Sequence, residues 1–163
     1  MQNCLARSAL ALAAAAGLAP SASAQTVVEV NDGEVLTQAE LEAGLFGEQV
    51  FALEPATTFE INAGGVIGPA VHYGPGFGFG GSTVNLYSGS AFASGSSGPS
   101  HVSDAVVNVL GGTVGEHFNL YSGGVLNLFD GSVGRYFQAF DASEVNVEGG
   151  SATTIELEHG SRL

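Results

Sequence analysis

The chain has 163 residues, 25 of them glycine, and a formal net charge of −13 from sixteen acidic residues against three basic ones. Nucleic acids and anionic lipid surfaces bind basic patches, so both are excluded as main partners. Charged residues make up only 12 % of the chain, and with so much glycine that points to tight turns and stacked backbone rather than to a helical domain.

The first 24 residues read as a secretory signal peptide. Arg7 is their only charge, the run Ala9 to Ala19 is rich in alanine and leucine, and Ala22-Ser23-Ala24 fits a small-x-small cleavage site. The run is shorter than the roughly 20 residues of a membrane span. Cleavage before Gln25 leaves about 139 residues, the length of one domain. Cys4 goes with the leader, so the remainder has no thiol and no disulfide. Export outside the cell, to the cell surface or to the periplasm is therefore expected.

Residues 25–58 are read as an N-terminal cap. Val27 to Val30 suit a short strand, Asn31-Asp32-Gly33 a turn, and Thr37 with Glu40 a capping box opening a short helix over Gln38 to Ala43. Residues 59–163 are read as repeats. Phe59-Glu60-Ile61-Asn62 and Val84-Asn85-Leu86-Tyr87 open two irregular units, with protruding loops at His72 to Gly81 and Gly95 to Ser100. Three regular units of 19 residues follow, beginning at Val107, Leu126 and Val145.

Each regular unit carries two short alternations of apolar and polar residues. The first is Val-Asn-Val or Leu-Asn-Leu. The second is Phe118-Asn119-Leu120, then Phe137-Gln138-Ala139, then Ile155-Glu156-Leu157 arriving one residue early. Such alternation reads as half-buried strands. A fixed period near 20 residues reads as a solenoid, because one unit cannot bury its apolar face alone. The expected fold is all-β: a right-handed parallel β-helix of about five coils.

Columns follow from this register. Val107, Leu126 and Val145 point inward, as do Val109, Leu128 and Val147, and then Val114, Val133 and Ala152. Phe118 and Phe137 stack inside, with Ile155 next. Gly112, Gly131 and Gly150 recur at a turn where a positive φ is expected. Asn85, Asn108, Asn127 and Asn146 form an outward row, a structural amide ladder or a polar binding strip. Glu116 and Arg135 share a column with opposite charges. Leu163 falls about where a further coil would start, so the array either continues or its last coil pairs with something.

The chemistry-bearing residues are sparse. Asp130, Asp141 and Glu144 occupy different columns, and Arg135 and Arg162 are the only basic candidates, so no polysaccharide-cleaving site is expected. His72, His101, His117 and His159 lack ligand spacing and are read as surface or loop residues. No cofactor is expected, and calcium only adventitiously at acidic turns. Tyr121 and Phe140 are expected to face outward as axial neighbours, fit for stacking on sugar rings, for corner packing or for lateral association with another solenoid. Tyr87, Leu110 and Phe129 form a second outward row.

The VNV-x-GG-[ST]-V-G and LNL-x-DGSVG units resemble secreted bacterial repeat proteins with arrays of Asn- and Gly-containing coils. The period is similar to that of filamentous-haemagglutinin-type exoproteins. The resemblance covers roughly Phe59 to Leu163 and implies export, a β-helix and an adhesive role. It transfers no catalytic residue. The segment after the leader does not look like a haemagglutinin secretion domain.

The expected function is a non-enzymatic, structural or adhesive repeat protein of the cell surface or extracellular matrix. Its partners would be a surface or matrix protein, itself by lateral or end-to-end association, or a polysaccharide, with no nucleic acid and no membrane span. The alternative is a polysaccharide-binding module or a lyase-like enzyme remnant. The candidate binding residues are Tyr121, Phe140, Asn108, Asn127 and Asn146.

Overall fold

The computed structural model describes residues 25–47, 49–50, 57–68, 81–95 and 100–163. The leader, His72 with most of its loop, and residues 96–99 lie outside them. The described chain is mostly β, and every strand pairing but one is parallel.

Strands form where the apolar alternation lies. The first ladder stacks β1 (Thr26–Val30), β5 (Thr57–Ile61), β7 (Thr83–Tyr87), the first half of β10 (Val106–Val114), the first half of β12 (Val125–Val133) and β14 (Glu144–Val147). The second ladder stacks β2 (Val35–Leu36), β6 (Val66–Ile67), β8 (Ala91–Phe92), the later halves of β10 and β12, and β15 (Ser151–Ala152). The third runs through β9 (Ser100–Val102), β11 (Phe118–Leu120), β13 (Phe137–Ala139) and β16 (Ile155–Leu157). Each ladder runs in chain order. A strand pairs with its counterpart one repeat away, so counterparts line up in a ladder and the strands of one repeat are called a tier.

The register is the one that the period dictates. Val107 lies against Leu126, Asn108 against Asn127, Leu126 against Val145 and Asn127 against Asn146. The early arrival at Ile155 is real, because Phe137 pairs with Ile155. The core takes alternate residues of each ladder: Val107, Val109, Val114, Leu128, Phe118, Phe137 and Val145 are fully buried. Each such side chain contributes about 1.5–3 kcal/mol against full exposure. Phe118 stacks on Phe137 at 5.9 Å and meets Phe92 edge-on at 5.0 Å.

The helix α1 (Gln38–Ala43) has its expected bounds. Thr37 accepts from the Glu40 N–H while the Glu40 carboxylate accepts from the Thr37 N–H, and Gly44 ends the helix at φ +63°. An antiparallel pair, β3 (Leu45–Phe46) with β4 (Gln49–Val50), follows it.

Residues 26–36, within the segment read as a cap, join the sheet in the common register: β1 pairs with β5 and β2 with β6. Three expectations are corrected. The third-ladder strand at Ser100–Val102 begins inside the segment read as a protruding loop. Val147 and Ala152 are inward by register yet exposed, since among the described residues no later strand covers them. The positive φ of the first regular turn falls at Gly111 (+123°), not Gly112, because the register shifts between Val109 and Thr113. Gly112 is needed for closeness instead: a Cβ there would stand 2.8 Å from the Leu86 Cβ.

Gly131 combines both demands, with φ +91° and a Cβ position only 2.1 Å from the Gly112 carbonyl oxygen. At Gly33, φ is +79° but nothing lies within 4 Å. Gly33→Ala should therefore cost about 1 kcal/mol, the left-handed backbone penalty alone. Gly131→Ala should cost at least about twice that, because the stacked backbone must also move. Urea unfolding of the two variants checks this, and equal losses would contradict it.

Candidate functional site

The outward asparagines are tied into one chain of hydrogen bonds. The Asn146 Nδ2 donates to the Asn127 Oδ1 at 2.9 Å, Asn127 to Asn108 at 2.8 Å, and Asn108 to Asn85 at 2.8 Å. Asn85 donates to both oxygens of the Glu60 carboxylate at 3.1 Å. All donors point the same way, so the amide dipoles align and finish on a negative charge. At the other end Asn146 also donates to Glu144 at 3.0 Å. Each amide is half-buried. Asn108 and Asn127 each spend one N–H and one carbonyl lone pair on the ladder and have a second of each to offer, whereas Asn85 turns its amino group to both Glu60 oxygens and Asn146 divides its own between Asn127 and Glu144.

Glu60 is the ladder's terminus, and sequence reasoning did not single it out. The signal was present: Phe59-Glu60-Ile61 places it in the Asn85 column. Tyr87 also hydrogen-bonds this carboxylate. That bond, some burial and the nearby negative charge hold the Tyr87 phenol above its usual range of about 10.

Tyr121 and Phe140 are brought together as expected, but face to face. Their rings stack at 5.0 Å and 11°, with His101 tilted over Tyr121 at 5.4 Å. Each ring covers a face of the next, and both side chains are half-buried. Stacking on a sugar needs an open face, so this geometry favours the packing role for the pair. His101 was read as a plain surface or loop residue. It lies on β9, the strand hidden in the glycine- and serine-rich segment.

The remaining charges are dispersed. Arg135 donates to Glu116 through Nη2 at 2.8 Å and Nε at 3.0 Å, which keeps the guanidinium protonated more firmly still. His117 stacks on Tyr136 at 4.6 Å. Asp130 accepts from the Gly131 N–H, and Asp141 lies in an exposed turn. Among the described residues no three of His, Cys, Asp and Glu come together as a metal site. No helix among them is long and apolar enough to cross a membrane.

Two groups of apolar side chains lie next to the amide ladder. Tyr87, Leu110 and Phe129 stand 38 %, 36 % and 41 % exposed beside the amide ladder. Val147, Ile155 and Leu163 line an open cavity of about 580 Å³ with Asn127 and Asn146. Arg162 bridges to Glu144 in parallel, so Leu163 continues the inward column of Leu126 and Val145.

Searches against protein-family models, curated proteins and solved structures found no match to this chain.

Asn108→Ala should remove two rungs and leave partners on both sides without them, a loss of about 1–3 kcal/mol in urea unfolding. Asn108→Asp can accept from Asn127 but, when ionised, sets oxygen against the Asn85 oxygen. It should be less stable than the parent at pH 7. The unfavourable contact raises the folded-state pKa of the new carboxyl, so the deficit should shrink as the pH falls toward about 4, where protonation restores a donor. A pH-independent deficit would contradict the ladder's polarity.

Proposed function

We propose that the chain is an exported, right-handed parallel β-solenoid that serves as a structural or adhesive element at the cell surface or in the extracellular matrix. The observation that carries this reading is the use of its polar side chains. The asparagines, Glu60 and the Glu116–Arg135 pair bond to their counterparts in neighbouring tiers. A chain built so that its functional groups hold its own stack together acts through surface shape and composition rather than through a reaction centre.

A solenoid is favoured over a closed barrel by the pairing of the end strands. β1 pairs with β5, and β14 pairs with β12 and the Arg162 bridge, while among the described residues no pairing joins β1 to β14. Handedness follows the general preference of parallel crossovers. Export rests on the leader pattern up to Ala24. The partners proposed are a surface or matrix protein, another copy, or a polysaccharide, with calcium at most adventitious and no resident cofactor.

Fractionation of cells expressing the full chain tests the export half of this reading. The expected product lies outside the cytoplasm and begins at or near Gln25 by mass spectrometry. An uncleaved product confined to the cytoplasm would overturn it. Beads carrying the folded, processed chain should adhere to the producing cells or their matrix, and inert beads would overturn the adhesive half.

A further inference from the structure

The outward face of the first ladder is uncharged at its centre and acidic at both ends. Across β7, β10 and the first half of β12, one column is Asn85, Asn108 and Asn127. Beside it runs the row Tyr87, Leu110 and Phe129, and the third column is Thr83 with two valines. None of these nine positions is charged, in a chain of net charge −13. On the β1 and β5 side the face meets Glu29 and Glu60, and on the β14 side Glu144 and Glu148. After the register shift Leu110 pairs with Asp130, with Phe129 the unpaired residue before it, so one carboxylate borders the row at its turn edge.

Size and charge decide what this face suits. Three tiers about 4.8 Å apart, five residues wide, make a patch roughly 15 Å on a side. That is about a quarter of the ~800 Å² per partner of a stable protein interface. A second copy laid on it would bring acidic tiers against acidic tiers in either direction. An anionic polymer would meet the same carboxylates. We propose that this face binds a linear, uncharged polysaccharide lying along the stack. The second N–H of Asn108 and Asn127, and the second carbonyl lone pair of Asn85, Asn108 and Asn127, repeated every ~4.8 Å, meet sugar hydroxyls. The row Tyr87, Leu110 and Phe129 packs against the apolar faces of the rings. Tyr121 and Phe140, on another ladder and stacked on each other, take no part.

This inference rests on the exported-scaffold reading and gives its adhesion a ligand class. The test is calorimetric titration of the full chain with cellohexaose, xylohexaose and mannohexaose, and with hexagalacturonate as the anionic counterpart. At least one neutral hexamer should bind saturably, with affinity unchanged in 0.5 M NaCl, and hexagalacturonate should not bind. Leu110→Asp, an exposed substitution, should weaken binding at least tenfold with the circular dichroism spectrum retained, and Phe129→Ala should weaken it too. Phe140→Ala should leave it unchanged. The proposal is overturned if no neutral hexamer binds at millimolar concentration, or if only hexagalacturonate binds. It is also overturned if Leu110→Asp is silent while Phe140→Ala abolishes binding. A reversible dimer lost in Leu110→Asp, without sugar binding, would assign the face to a second copy instead. A processed, exported and adhesive chain that ignores all three neutral hexamers sinks this inference alone. A cytoplasmic, uncleaved chain sinks the scaffold reading whatever the sugars do.

Discussion

Parallel backbone pairing between tiers is the constraint on which everything else in this structure depends. Once Val107 lies against Leu126 and Asn108 against Asn127, each side chain has its counterpart about 4.8 Å above and below. Like then stacks on like. That favours apolar columns inside, aromatic stacks such as Phe118 on Phe137, and amides that donate one way and accept the other. It penalises rows of equal charge. The four asparagines of the ladder column and the Glu116–Arg135 pair are two solutions to that one problem.

The same constraint explains the glycines. Where the chain turns from the first ladder to the second, the backbones of successive tiers approach too closely for a Cβ. Gly131 sits over the Gly112 carbonyl and Gly150 over that of Gly131. The turn geometry recurs because the tier below leaves no other space, and positive φ follows at two of the three positions. A fold held this way needs no disulfide after Cys4.

Much of this was legible in the sequence because the repeat is strict where it is regular. The 19-residue spacing sets the columns of Val107, Asn108, Val109 and Phe118. The capping box at Thr37 sets the helix start, and the early Ile155 follows by simple alignment. What escaped reading was irregular in length or small in side chain. The first tier is separated from the second by 31 residues, Thr26 to Thr57, including α1 and the β3–β4 pair, so its kinship was hidden. Ser100-His101-Val102 was masked by its loop-like neighbours. Burial of Val147 depends on a covering tier, which no pattern within its own unit can report. For the candidate site, the sequence placed Tyr121 beside Phe140 and aligned the asparagines. It could not say that the two rings would spend faces on each other, because ring orientation is set by packing across tiers.

The most direct test of the account is the distance between its first and last paired tiers. Nitroxide labels at Val27→Cys and Glu144→Cys, in a chain with Cys4→Ser, would be read by pulsed dipolar spectroscopy. Both positions are exposed on the same ladder. Five steps of ~4.8 Å put their Cα atoms about 24 Å apart in an open stack. A distribution centred near that value, broadened by the label arms, is the predicted result. A closed barrel would bring β1 and β14 to strand-pairing distance, about 5 Å, with dipolar broadening of the ordinary spectrum, and that result would contradict the account.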